Sequence, residues 1–126
     1  MAKKKISWVG GARLRTLPLA VAPILIAWGF VNWLQSANLA LTLLALAVAV
    51  FLQIGVNFAN DYSDGIRGTD AHRVGPARLT ASGKVEPKKV RNVAFAFFAL
   101  AALAGAAIVL ITGIWWLVAV GLAAIV

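Results

Sequence analysis

Residues 16–60 and 92–126 contain no Asp, Glu, Lys or Arg. A soluble domain is roughly a quarter charged, so two uninterrupted runs of this length have no place on a water-exposed surface. The rest of the composition agrees: 62% of the 126 residues are hydrophobic, 13% are charged, and the mean hydropathy is +0.89. The chain therefore reads as an all-α, polytopic membrane protein. All four acidic residues, the single His and seven of the twelve basic residues lie between Asp61 and Arg91. Function is to be sought there.

A hydrocarbon core takes about 20 apolar residues per helix, so residues 16–60 hold two spans. The polar cluster Asn32, Gln35, Ser36 and Asn38 separates them, giving helices over 17–34 and 39–60. Pro18 fits a first helical turn, whereas Pro23 falls inside the first span and frees a carbonyl there. The second run divides at Thr112-Gly113 into 93–111 and 114–126, the intervening loop being 61–91. Residues 114–126 would rise only about 20 Å against a core of roughly 30 Å. The expectation is three full spans and an incomplete fourth, with the natural chain continuing past Val126.

Five basic residues precede Thr16, from Lys3, Lys4 and Lys5 to Arg13 and Arg15, and seven lie in the 61–91 loop. Two spans separate the groups, so both lie on one side, and the positive-inside rule makes that side cytoplasmic. Lys88 and Lys89 follow Pro87 and are placed to snorkel into headgroups. Trp33, Trp115 and Trp116 lie near span ends, as interfacial tryptophans do. Arg13 and Arg15 before the apolar run, with no small-residue cleavage pattern, argue for an uncleaved first span rather than a signal peptide. Basic residues that flank apolar segments are orientation signals, not a nucleic-acid footprint. With no Cys, disulfides, thiolate metal sites and thiol catalysis are excluded.

At about 100° per residue, Gln53, Asn57, Asn60, Asp61 and Asp64 fall within one arc of the second helix. Polar groups at membrane depth are costly unless they face a bundle interior or a wet cavity, so this stripe marks a site. Asp61 and Asp64 stand at the negative end of the helix dipole, where each anion is disfavoured by about 0.3 to 1 kcal/mol. Two such aspartates, with Asp70 six residues on and amide oxygens beside them, call for a cation. The donors are all oxygen, which selects a hard ion: Mg²⁺ ahead of Mn²⁺ or Ca²⁺. Mg²⁺ completes its shell with water and substrate phosphates, so a phosphorylated substrate is expected. Arg67, Arg73, Arg78 and Lys84 in the loop, and Arg13 and Arg15 on the same side, can take up its remaining charge. The competing reading is a solvated loop whose charges balance one another. His72 has no Cys, His or Ser partners in sequence and reads as surface. Gly65, Gly68, Gly75 and Gly83 lack P-loop spacing and read as turns.

Asn57-Phe58-Ala59-Asn60-Asp61-Tyr62-Ser63-Asp64-Gly65-Ile66-Arg67-Gly68-Thr69-Asp70 resembles the first Asp-rich motif of the UbiA-type intramembrane aromatic prenyltransferases. Arg13-Leu14-Arg15-Thr16-Leu17-Pro18-Leu19 is similar to that family's Arg-x-x-Thr-Leu-Pro start of its first helix. Arg73-Val74-Gly75-Pro76-Ala77-Arg78-Leu79-Thr80-Ala81-Ser82-Gly83 resembles the branch that prenylates 1,4-dihydroxy-2-naphthoate in menaquinone synthesis. Where the general pattern has a third Asp this chain has Gly68, and that branch tends to carry the Asp two residues later, as Asp70 here. The resemblance covers the front part of a family protein. It implies nine transmembrane helices in all and, in the part not covered, a second Asp-rich loop that faces the first across a cytoplasmic cavity holding an Mg²⁺-bound polyprenyl diphosphate.

The resemblance further implies that Asp61, Asp64 and, less directly, Asp70 serve Mg²⁺ and diphosphate, and that Asn57 and Asn60 orient metal or phosphate oxygens. Arg13, Arg67, Arg73 and Arg78 would contact diphosphate or the acceptor carboxylate, Lys84 enters by proximity alone, and Gln53 lines the cavity. The implied activity is transfer of a polyprenyl group to 1,4-dihydroxy-2-naphthoate with loss of CO2, in the cell membrane. Two other motifs fail. A CDP-alcohol phosphotransferase shares Asp-x-x-Asp-Gly but needs Ala-Arg at Gly68-Thr69, Gly at Arg78, and Asp at Ser82 and Glu86; an EF-hand needs ligands at alternate residues. Two alternatives stay open: a relative with another aromatic acceptor, and a small non-catalytic membrane subunit with a cation-binding loop.

Overall fold

The computed structural model describes residues 8–67, 79, 80, 82 and 85–125. Its elements are all helical: α1 (Trp8–Ala12), a 3-10 turn (Leu14–Thr16), α2 (Leu17–Trp33), α3 (Leu39–Arg67), α4 (Pro87–Thr112) and α5 (Trp116–Ile125). Three stretches, Trp8–Trp33, Leu39–Arg67 and Pro87–Thr112, are long and apolar enough to cross a membrane. The chain is an integral membrane protein built as an all-α bundle.

The helix ends follow from local chemistry. Pro18 sits in the first turn of α2, where its missing N–H costs nothing, and α2 runs on through Pro23. At its end the Ser36 amide donates to the Val31 carbonyl (2.9 Å) and the Gln35 amide to that of Asn32 (3.0 Å). This is a Schellman closure, with Gln35 at φ 57° where glycine is usual. Two residues later Asn38 caps α3, its Oδ1 accepting the Leu41 amide at 3.1 Å. Gly113, at φ 70°, ends α4 by donating to the Val109 carbonyl at 2.8 Å.

Two helices extend past the limits expected from charge. α3 continues seven residues beyond Asn60 to Arg67, and α4 begins at Pro87, ahead of residue 93. At 1.5 Å per residue the 29-residue α3 is about 43 Å long, well over the roughly 30 Å hydrocarbon core. Charge marks where the hydrocarbon ends, while the helix carries on into the headgroup layer. α5 is correspondingly shorter than residues 114–126, because Gly113 and Ile114 form the break.

α3 and α4 pack antiparallel, since Gly55 faces Ala94 and Phe98 while Val48 faces Gly105. A Cβ on Gly55 would lie 2.7 Å from Phe98 Cε1 and 3.4 Å from the Ala94 carbonyl oxygen, so the missing side chain sets how closely these helices meet. Val90, Ala94, Ala101 and Val109 form the buried face of α4, at the spacing of one helical stripe. The contiguous core (Ala12, Phe58, Leu79, Val90 and Ala94) gathers at the loop-bearing end. Phe58 is stacked on Phe97 at 5.9 Å and tilted against Trp8 at 5.9 Å. Away from that end, α2 has no buried residue, and Leu19, Ile26 and Trp33 are 73, 74 and 76% exposed. A helix apolar on every side belongs in lipid or against other membrane helices.

Candidate functional site

Gln53, Asn57, Asp61 and Asp64 descend one side of α3 at intervals of four, four and three residues, which stacks them on a single helix face. Asn57 and Asp61 are buried, and Gln53 and Asp64 are half-buried. Asn60, within the same arc by helical periodicity, is the exposed member of the stripe.

Asp61 is fully buried. Its Oδ2 accepts the Leu79 amide at 2.9 Å and its Oδ1 the Thr80 amide at 2.8 Å. Each is a charge-assisted bond, of about 1.5 to 3 kcal/mol. The carboxylate thereby draws the end of the loop back onto α3. A carboxylate oxygen has about two acceptor sites, and the described residues fill one on each oxygen. Two amides offset only part of the cost of taking a carboxylate out of water, and among the described residues no cationic side chain joins them. Beside this pair Thr80 Oγ1 is buried without a hydrogen-bond partner.

One turn earlier on α3, Asn57 reaches the N-terminal segment. Its Nδ2 donates to the Ala12 carbonyl at 2.8 Å and to Thr16 Oγ1 at 2.9 Å. With both amide hydrogens used, Oδ1 is the atom left to meet a cation or a donor. Gln53 Nε2 donates to the same threonine hydroxyl at 3.3 Å. Arg13 lies in this connection with a left-handed backbone, φ 53° and ψ 63°. Gly11 fits beneath it because a Cβ there would come within 2.7 Å of Leu79 Cδ1 and 2.8 Å of Phe58 Cε1.

The structure thus brings Asn57, Asp61, Asp64 and the Arg13 turn to one end of the bundle. Arg67, the last residue of α3, and Arg15 are exposed. Asp70, Arg73, Arg78, Lys84 and His72 lie outside the described residues. Among the described residues no group of three or more His, Cys, Asp or Glu forms a metal cluster. The donor set present, two carboxylates one turn apart and an amide oxygen, nonetheless suits Mg²⁺, which takes one or two protein carboxylates and finds the rest in water and phosphate.

Sequence reasoning missed three participants. Thr16 is polar at the very start of the first uncharged run, yet its partners lie 37 and 41 positions away. The Leu79 and Thr80 amides are backbone groups that carry no residue-type signal.

The architecture is that of a polytopic helical membrane protein with carboxylate and amide oxygens gathered at the basic end of its spans. Over most of its length the chain is similar to 1,4-dihydroxy-2-naphthoate octaprenyltransferases. It is 55% identical over 114 residues to the 1,4-dihydroxy-2-naphthoate octaprenyltransferase of Mycobacterium tuberculosis, covering 90% of this chain and 39% of that protein. The proteins of the same name from Escherichia coli and Bacillus subtilis are 34 and 31% identical, over 86 and 87% of this chain and 37 and 35% of theirs. The chain therefore spans less than two-fifths of the length of these curated relatives. No family model and no solved structure matches it.

Proposed function

We propose that this chain supplies the first Asp-rich half of an intramembrane site that transfers a polyprenyl group to 1,4-dihydroxy-2-naphthoate, in menaquinone biosynthesis. The observation that carries the reading is the pair Asp61 and Asp64, one turn apart on the inward side of a membrane helix with Asn57 beneath them. The names and identities of the relatives support it. Asp61, Asp64 and Asn57 Oδ1 are the groups that would hold Mg²⁺, with Asp70 as a further ligand. The ion, when bound, makes diphosphate a better leaving group. Arg13, Arg67, Arg73, Arg78 and Lys84 balance the charge of the departing diphosphate or hold the acceptor carboxylate, and Asn60 stands at the edge of this set.

In the reaction the allylic C–O bond breaks and its electron pair leaves with diphosphate. The electron-rich ring attacks the allylic carbon through its carboxylate-bearing position. As the carbon–carbon bond forms, the C–CO2 bond breaks and returns its electron pair to the ring, leaving a demethylmenaquinone-type quinol. Burial among helices keeps water from the allylic cation and lets the prenyl tail lie toward lipid. The reading places the basic end of the spans in the cytoplasm of a cell whose plasma membrane holds the protein. It also has a second Asp-rich loop, on helices beyond this chain, completing the site.

The test is prenyl transfer by the protein as the cell makes it, in membrane vesicles. Asp64→Asn should abolish Mg²⁺-dependent formation of the prenylated quinol and Asp61→Asn should do the same; activity retained in both variants overturns the site. A preference for 4-hydroxybenzoate over dihydroxynaphthoate keeps the family reading but removes the acceptor.

A further inference from the structure

We infer that Thr16 is a positioning residue: with Asn57 it fixes the left-handed turn at Arg13 so that the guanidinium is presented to an anionic oxygen group of the substrate. The inference rests on the prenyl-transfer reading above and adds to it a residue that touches no substrate.

The hydrogen bonds carry it. The peptide plane before Arg13 is pinned because the Ala12 carbonyl accepts Asn57 Nδ2 at 2.8 Å. The plane after Arg13 is pinned because its own carbonyl accepts the Thr16 hydroxyl at 2.8 Å and the Thr16 amide at 2.9 Å. Holding both planes sets φ and ψ at residue 13, and so the direction of its Cα–Cβ bond. The Thr16 hydroxyl is used to capacity, since it donates once and accepts from Asn57 Nδ2 (2.9 Å) and Gln53 Nε2 (3.3 Å).

The position chosen is an unfavourable one for arginine. A left-handed backbone is open to glycine and disfavoured by a β-carbon, and such conformations persist where the surroundings over-determine them. Here the surroundings are the Gln53–Asn57 face of α3, which four residues later carries Asp61. Through Gly11 the same segment lies against Leu79, whose amide Asp61 holds. Hydrogen bonds and packing thus tie the Arg13 backbone to the same end of α3 that carries Asn57 and Asp61, which is where a substrate anion held through a cation on the aspartates would sit.

The experiment is a double-mutant cycle between Thr16→Val and Arg13→Gly in vesicles containing the whole protein, with octaprenyl diphosphate and 1,4-dihydroxy-2-naphthoate varied in turn. Arg13→Gly keeps the turn, because glycine suits it, and removes only the guanidinium. Thr16→Val should lower kcat/KM by about 10- to 100-fold, the scale of a misplacement of roughly 1 Å. Thr16→Ser, which keeps the hydroxyl, should be close to wild type, and Thr16→Val should add nothing in the Arg13→Gly background. A rise in KM for octaprenyl diphosphate identifies the anion as diphosphate, and a rise for the naphthoate identifies the acceptor carboxylate; either supports the clamp. Where Thr16→Val does not accumulate, Thr16→Ala carries the same cycle. A silent hydroxyl-less variant, or losses at 13 and 16 that multiply, overturns the clamp and leaves the functional reading standing. A wild-type protein that transfers no prenyl group overturns that reading and the clamp with it.

Discussion

At position 61 a carboxylate meets two demands, closing a loop through backbone amides and presenting charge to a site. Asp61→Asn replaces one acceptor with a donor facing an amide, so a buried N–H loses its partner at a cost of about 1 to 3 kcal/mol. The expected outcome is faster hydrogen exchange at Leu79 and Thr80, read by mass spectrometry. Both variants should remove Mg²⁺-dependent turnover, but Asp64→Asn should leave that exchange unchanged, and equal effects of the two variants on exchange would contradict the double role of Asp61. The stripe Gln53, Asn57, Asp61 and Asp64 was legible in the sequence because helical periodicity needs only residue identity. What each member bonds to was not: Asn57 meets Ala12 from 45 positions away, and Asp61 meets main-chain groups that look alike in every residue.

Among the elements, the two inner helices show how far charge patterning can be taken. It located the spans, and it stopped α3 seven residues short because a charged residue on a helix in the headgroup layer looks the same as one in a loop. The α3–α4 contact turns on Gly55, whose role nothing local announces. Gly55→Ile drives a branched side chain into Phe98 and the Ala94 carbonyl, and overpacking of this kind costs about 1 to 3 kcal/mol; a lowered Tm in detergent is the readout. Gln35→Gly should act in the opposite direction. The α2 closure holds Gln35 at φ 57°, and relieving a left-handed β-carbon is worth about 1 kcal/mol, so the variant should melt higher than wild type.

For the molecule as a whole, the chain's lack of Cys makes its orientation directly measurable. Single cysteines at Ala37, in the turn between α2 and α3, and at Lys88, in the first turn of α4, should react with an impermeant maleimide from opposite sides. Labelling of both from one side would overturn the three-span arrangement. The exposed surface of α2 gives a second check, because Ile26→Lys would set an ammonium in hydrocarbon at a cost of about 2.5 to 3.5 kcal/mol and should lower the membrane-inserted yield. Which helices cover α2 and α5 was beyond the sequence, since an all-round apolar helix offers no face to read.

The position of the core ties the packing of the helices to the acidic end. Phe58, Leu79, Val90 and Ala94 fasten the helices together there, and Leu79 is also one of the two residues whose amides Asp61 holds. A substitution that loosens this cluster is therefore felt at the carboxylate itself, so the helix seam and the acidic site stand or fall together.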